Sequence, residues 1–521
     1  MDDWDPVRRT ALSERVLAGR SALPRALVER LERPVRPFAI VMGWIGSTML
    51  FLLVATGLGG PTEGDSAEVV YGTWAVAHGH LACVYPATGG HLPQGFADPF
   101  ALAAPLYALV SGVVAAALRI GHAVPFPSGH ALGPGCANGF NAIYHWSTTS
   151  AAILPTVRVG YVTWAVLLAG VVYLVRATPL RATGWEVVAG FLVALAPPVV
   201  MCLTYYFHPQ DLLAMALVLV AVGAWLRGHH LVGGVWLGLA LAAQQFAVLA
   251  VVALLVLSER DRIVRLLGGL VAAVAVVDGT FVAVSGLRAV KTVLFGSSRV
   301  GSSVSAHGGT VVFALGLHGV ADFLLARVAP IAAAALVAWL VRRRVGRSPR
   351  AVVGALSAAM LCRLVFEVNI FGYYFMAVMV GVVLLEVLRH QVGRDVVALV
   401  GLFIVSFDPE HIALVDNLTT YGLSVYYDLP IVVLALGVAL FLFDAVRRRF
   451  SPALVVWLGF VALAGESHLW NRYNPLWDLP EWAWQIVLVP FLGVILARRL
   501  RETRRDEPSG APGALEASAL V

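Results

Sequence analysis

Apolar runs long enough to fill a helix recur along most of this chain, at 38–58, 157–176, 186–206, 212–226, 231–257, 266–286, 322–341, 351–369, 372–388, 395–407, 429–446, 452–465 and 484–498. About 20 such residues in a helix cross a bilayer core, so the pattern predicts an all-α polytopic membrane protein of about 12–14 transmembrane helices. No heptads and no clear internal repeat accompany it.

The polar intervals fix an orientation. Residues 1–37 form a basic arm, and further arginines cluster at Arg176/Arg181, Arg227, Arg260/Arg262/Arg265, Arg342 to Arg350, Arg389/Arg394, Arg447 to Arg449 and Arg498 to Arg505. Basic loops stay cytoplasmic. Alternation from an inner N-terminus reproduces these clusters with one conflict, the run 231–257, which has basic residues on both flanks. It is read as two short helices meeting near Gln244 and Gln245, a hairpin that returns to the cytoplasm; polar breaks at depth are tolerated where protein or a wet cavity covers them.

Residues 60–156 then form a large first external loop. From Gly60 to Leu118 it holds no lysine or arginine, but it carries Glu63, Asp65, Glu68, His78, His80, His91 and Asp98. It is expected to contain an amphipathic helix near Ser66 to His78. A second helix within 101–117 is expected to lie on the membrane or protein surface, because a crossing there would flip every later basic cluster outward. The organisation expected is a cytoplasmic arm at 1–37, a membrane core at 38–390, further helices with external loops at 391–500, and a disordered cytoplasmic tail at 501–521. Both termini are placed inside the plasma membrane and the functional face outside.

Composition changes this picture little. Of 521 residues, 59% are hydrophobic and 13% charged, which excludes a soluble globular protein. The net charge of +6 is no nucleic-acid signal, since the arginines sit between apolar runs where lipid headgroups lie. Roughly 37 polar and basic residues precede the first apolar run, too long an n-region for a cleavable signal peptide. Cys202 and Cys362 fall in apolar runs, whereas Cys83 and Cys136 share the external loop, where a disulfide is permitted but free thiols read the same.

Several side chains carry candidate chemistry. Asp65 follows Gly64 and precedes a helix; it is either that helix's cap or a general base toward an acceptor hydroxyl. His208-Pro209-Gln210-Asp211 opens a helix, as a capping turn or as a site for a phosphate oxygen. Gln244 and Gln245, at the hairpin apex, are bundle-stabilising amides or donor contacts. Arg363 and Glu367 lie one turn apart in a membrane segment, either as a mutual ion pair or with Arg363 on a phosphate and Tyr373 and Tyr374 lining a sugar or lipid. Arg299 and His307 belong to a basic external stretch, either linker or a phosphate-closing loop. His78, His80, His91, His130 and His145 come with no HExxH or cysteine-pair pattern, so no metal is assigned.

Together these pieces resemble the GT-C glycosyltransferases of actinobacteria. The match rests on Gly64-Asp65-Ser66, Asp98-Pro99-Phe100, Tyr205-Tyr206-Phe207-His208-Pro209-Gln210-Asp211, the small-residue segment from Gly234 into Gln244-Gln245-Phe246, and Arg363-Leu364 through Tyr373-Tyr374. The resemblance implies a GT-C-like bundle and an inverting transfer of a sugar, mannose before arabinofuranose. The donor would be a polyprenyl-phosphate sugar and the acceptor a cell-envelope glycolipid or polysaccharide, with no cofactor. By that resemblance Asp65 is the base. His208, Gln210, Asp211, Gln244, Gln245, Arg299, His307 and Arg363 hold the donor phosphate, and Glu68, Glu367, Tyr373 and Tyr374 line the substrates. Relatives often carry Lys-Gln where this chain has Gln244-Gln245, so positive charge toward the donor has to come from Arg363 or Arg299. A lipid-linked sugar transporter is the alternative, for which Asp278 and the glutamine pair would mark a path through the bundle.

Overall fold

The computed structural model describes residues 25–57, 63–85, 104–118, 150–194, 196–204, 207–287, 310–315, 324–367, 370, 372–390 and 484–506, with isolated positions 130, 290 and 321. Among them all regular structure is helical; one isolated bridge, Pro34 to Thr183, is the only strand-like pairing. In chain order the helices are α1 (Arg25–Glu32), α2 (Pro37–Gly57), α3 (Glu63–Ala77), α4 (Pro105–Ala117), α5 (Ser150–Val175), α6 (Gly184–Ala194), α7 (Pro197–Thr204), α8 (Pro209–Leu226), α9 (His230–Ala243), α10 (Ala247–Leu257) and α11 (Arg260–Ser285). They continue with α12 (Ala329–Arg344), α13 (Pro349–Phe366), α14 (Met376–Leu388) and α15 (Val489–Asp506). π-helical turns lead into α12 (Leu324–Val328) and α15 (Trp484–Leu488), and a 3₁₀ turn (Gly372–Phe375) leads into α14.

Five helical segments are long and apolar enough to cross a membrane: Ile153–Val175, Pro209–Leu226, Arg260–Ser285, Leu324–Arg344 and Pro349–Phe366. α8 is 89% buried, so it forms the centre of the bundle, whereas α11 is only 22% buried and lies at its edge. The edge exposes Val264, Val271 and Val276 on α11, Leu336 and Trp339 on α12, and Phe38, Val41, Ile45 and Met49 on α2. Apolar stripes of that extent are satisfied only by lipid, and the chain is a membrane protein.

α9 reaches α11 by having almost no side chains at the crossing. A Cβ on Gly234 would overlap the carbonyl oxygen of Leu266, and one on Gly269 that of Leu231. Backbones approach this closely at membrane helix pairs built from small residues.

The structure separates two ends of the bundle. At one end the segments expected inside by their arginines meet each other. Val35 N donates to Ala182 O, His390 Nδ1 lies 3.2 Å from Glu32, and Trp225 donates to Ser258. Arg342 donates to the carbonyls of Val256 and Ser258, Arg347 pairs with Glu259, and Arg350 donates to Leu388 O. A buried network closes this end: Arg389 Nη1 donates to Glu502 at 2.5 Å, Arg499 Nη1 does so at 3.1 Å, and Arg499 also pairs with Glu386. The 231–257 run is two helices, broken at Gln244 to Phe246. Both flanks return to this end, as the hairpin reading expects.

Three details depart from the sequence pattern. The run 186–206 is interrupted between Ala194 and Pro197, because Pro197 and Pro198 lack the N–H groups and the space that a continuing helix needs. In α3 the helix is present, but Val69 through Ala75 are all buried rather than amphipathic. α4 covers it, with Thr73 and Ser111 hydroxyls 2.8 Å apart across the contact. Finally, the helix expected to end near 500 continues to Asp506, because Glu502 and Thr503 are buried in the network just described. The segments 395–407, 429–446 and 452–465 lie outside the described residues.

Candidate active site

The opposite end gathers polar side chains from four places in the chain. The first is the junction of α7 and α8. Phe207 stands in the left-handed region at φ +53°, a conformation that costs a non-glycine residue about 1–3 kcal/mol and is held only by over-determined packing. Its ring is fully buried against Gly160, where a Cβ would come within 2.6 Å of Phe207 Cζ. This turn brings His208 N onto Cys202 O at 2.5 Å and lets Pro209 start α8 at a position where a missing N–H costs nothing. His208, Gln210 and Asp211 are consequently all buried around the N-terminus of α8, with Gln210 Nε2 3.0 Å from His208 Nδ1. A carboxylate in the first turn is favoured by the helix dipole, which accommodates the burial of Asp211.

The hairpin apex supplies the second part. Gln244, extended at the end of α9, donates from Nε2 to Asp211 Oδ1 at 2.5 Å, and its Oε1 accepts from Gln245 N at 3.0 Å. The third is the end of α13, where Arg363 Nε donates to Glu367 Oε2 at 2.8 Å. The guanidinium carbon lies 4.4 Å from the centroid of Tyr374 and 5.7 Å from that of Phe246. The fourth is the 3₁₀ turn before α14. Tyr373 stacks on His208 with centroids 4.2 Å apart and meets Tyr374 edge-on at 4.6 Å.

The chemistry follows from what each group has left to offer. Arg363 keeps 24% of its side-chain exposure, and its only hydrogen bond among the described residues is through Nε. Among the described residues its paired Nη edge has no hydrogen-bond partner, and such an edge binds phosphate or carboxylate oxygens in parallel pairs. Asp211 spends one oxygen on Gln244 and supplies negative charge opposite the arginine. Beside it His208 and Tyr373 stack on one another, Tyr374 meets Tyr373 edge-on, and the guanidinium lies over the Tyr374 ring.

Of the residues singled out in sequence, the structure brings together His208, Gln210, Asp211, Gln244, Gln245, Arg363, Glu367, Tyr373 and Tyr374. Asp65 and Glu68 lie in the first half of α3, and their side chains are outside the described residues, as are Arg299 and His307. Cys83 is disulfide-bonded, Cys202 and Cys362 are free thiols, and Cys136 is outside the described residues. No group of three or more potential metal ligands occurs among the described residues.

One residue here escaped the sequence reading. Gln485 is 7% exposed, and its amide donates to the carbonyls of Leu364 (3.2 Å) and Val365 (2.8 Å) at the end of α13. A lone amide opening the apolar run 484–498 was the available signal; its partners lie about 120 residues away, where no local pattern points.

No protein-family model and no curated protein matches the chain. Two crystal structures of ArnT from Cupriavidus metallidurans are similar to it. The one bound to undecaprenyl phosphate has 14% sequence identity and a TM-score of 0.43, covering 89% of this chain and 78% of that one. The apo structure has 15% identity and a TM-score of 0.41, covering 88% and 78%.

Proposed function

We propose that this chain is an inverting membrane glycosyltransferase that moves a sugar, mannose before arabinofuranose, from a polyprenyl-phosphate donor to a cell-envelope glycolipid or polysaccharide at the outer membrane face. The observation that carries the proposal is the Nη edge of Arg363, without a hydrogen-bond partner among the described residues and set beside the N-terminus of α8 and an aromatic cluster. That combination suits a phosphate joined to a ring. The arginine takes the anion, while Tyr374, the half-buried ring of the aromatic cluster, faces the sugar.

In the proposed step Asp65 takes the proton of an acceptor hydroxyl. The hydroxyl oxygen attacks the anomeric carbon, the bond from that carbon to the phosphate oxygen breaks, and polyprenyl phosphate leaves with the electron pair. A phosphate needs little protonation to leave, so a fixed cation stabilises the developing charge. The pairing of Cys83 with Cys136 belongs to the same proposal, as a staple of the loop that carries Asp65.

Transfer from radiolabelled polyprenyl-phosphate mannose, and separately arabinose, into membrane lipids and glycans tests this. Asp65→Asn is expected to lose about 10²–10⁴-fold of turnover at unchanged protein level. Equal transfer by wild type and variant would keep the enzyme and remove Asp65 as base. One observation favours the transport alternative: Asp278 is only partly buried in the last third of α11, close enough to Tyr85 to interact with it electrostatically. Movement of the intact lipid-linked sugar across vesicles, without transfer, would establish that reading instead.

A further inference from the structure

We infer that Gln485 is a positioning residue for the anion-binding edge of Arg363. The inference rests on the glycosyltransferase reading and extends it.

The end of α13 has a conflict to solve. The last carbonyls of a helix have no donors of their own, and the common solution is a glycine in the left-handed conformation just beyond. Here the chain instead leaves the helix extended at Glu367, with φ −73° and ψ 139°. That exit directs the Glu367 carboxylate back one turn onto Arg363 Nε. The carbonyls left behind are satisfied from another helix. Gln485 Nε2 donates to Leu364 O at 3.2 Å, Val365 O at 2.8 Å and, more weakly, Glu367 O at 3.4 Å. Its Oε1 accepts from Val311 N at 2.8 Å. Both ends of the amide are used inside the protein, so the residue organises the site without contacting a ligand.

Its placement is built into the chain. The turn Trp484–Leu488 is π-helical, and such turns swing a side chain away from regular helical register. Arg363 is thereby fixed on three sides: Glu367 holds Nε, Tyr374 and Phe246 border the guanidinium, and Gln485 holds the backbone that carries both charges. Without the amide, the carbonyls of Leu364 and Val365 lose their donor, the helix end frays, and Glu367 no longer sets the direction of the arginine's Nη edge.

The test uses the full chain in nanodiscs, with undecaprenyl phosphate as the binding probe and sugar transfer as the second readout. Gln485→Met keeps the length and removes the hydrogen bonds; Gln485→Glu keeps the shape and sets a carboxylate against the carbonyls. Both are expected to weaken undecaprenyl phosphate binding and raise the donor KM by about tenfold, with kcat at saturating donor within about threefold and the acceptor KM unmoved. Unchanged binding and donor KM in Gln485→Met would overturn the inference, as would a general loss in which kcat and thermal stability fall and both KM values rise together. Should neither variant fold, Val311→Pro decides: Val311 is the first residue of the helical turn Val311–Ala314, where proline is tolerated, and the substitution removes the N–H that Gln485 Oε1 accepts from. A donor KM raised by about threefold supports the inference, and an unchanged one defeats it. Arg363→Gln runs alongside. If it binds undecaprenyl phosphate normally, the functional reading fails. If it loses binding while Gln485→Met retains it, only the positioning role fails.

Discussion

Arg363 carries the charge logic of the site, and its neighbours decide what a substitution there does. Glu367 takes Nε, and the two Nη groups have no hydrogen-bond partner among the described residues, so in the proposed site they are the parallel donors that meet the ligand. Lysine presents a single ammonium and cannot serve both partners. Arg363→Lys is expected to raise the donor KM by at least about tenfold, close to 1.4 kcal/mol of lost binding, with a smaller effect on turnover; steady-state kinetics in both substrates checks this. The glutamine pair finds its place at the same scale. At the apex Gln244 donates to Asp211, and the cation set beside it among the described residues is Arg363 on α13.

At the scale of the element, the apex of α9 and α10 depends on how tightly α9 seats against α11. Gly234→Val is expected to push the two helices apart, because the added atoms would overlap Leu266 O, and to lower the melting temperature in detergent by several degrees. Donor binding should weaken with it, since Gln244 rides on α9. Spans, the broken hairpin and the residues of the His208 turn were legible in sequence, because each leaves a local mark: an apolar run, basic flanks on both sides of one run, a proline at a helix start. The break ahead of Pro197 also had its mark, although hydropathy alone ran across it. What the pattern did not carry was long-range partnership. Gln485 and Arg363 meet only through tertiary packing, and the burial of α3 on several sides depends on α4 and α5 covering it.

Across the whole molecule, the end opposite the site is locked by Glu386, Arg389, Arg499 and Glu502. Burial on its own would raise the Glu502 carboxyl. The hydrogen bond and charge of Arg389, followed by Arg499, more than offset this and hold it below the usual carboxylate range. A depressed carboxyl contributes stability above its unfolded value, about 4.3, and loses it as pH falls through the lower folded value. Wild type is therefore expected to melt above Glu502→Gln at neutral pH, by an amount reflecting about 3–5 kcal/mol for a broken buried pair, and the two melting curves should converge as the buffer is acidified below that unfolded value.

The same network sets a timetable for synthesis. Glu386 and Arg389 are partnered by Arg499 and Glu502, residues 113 positions further along. At the usual elongation rates, on the order of ten seconds separate the arrival of the two halves. During that interval a nascent chain holds Glu386 and Arg389 without the partners they have in the folded protein. Arrival of α15 is then what closes this end. A ribosome stalled anywhere between 390 and 498 would leave a product that has its central helices but lacks both charges that pair with Glu386 and Arg389.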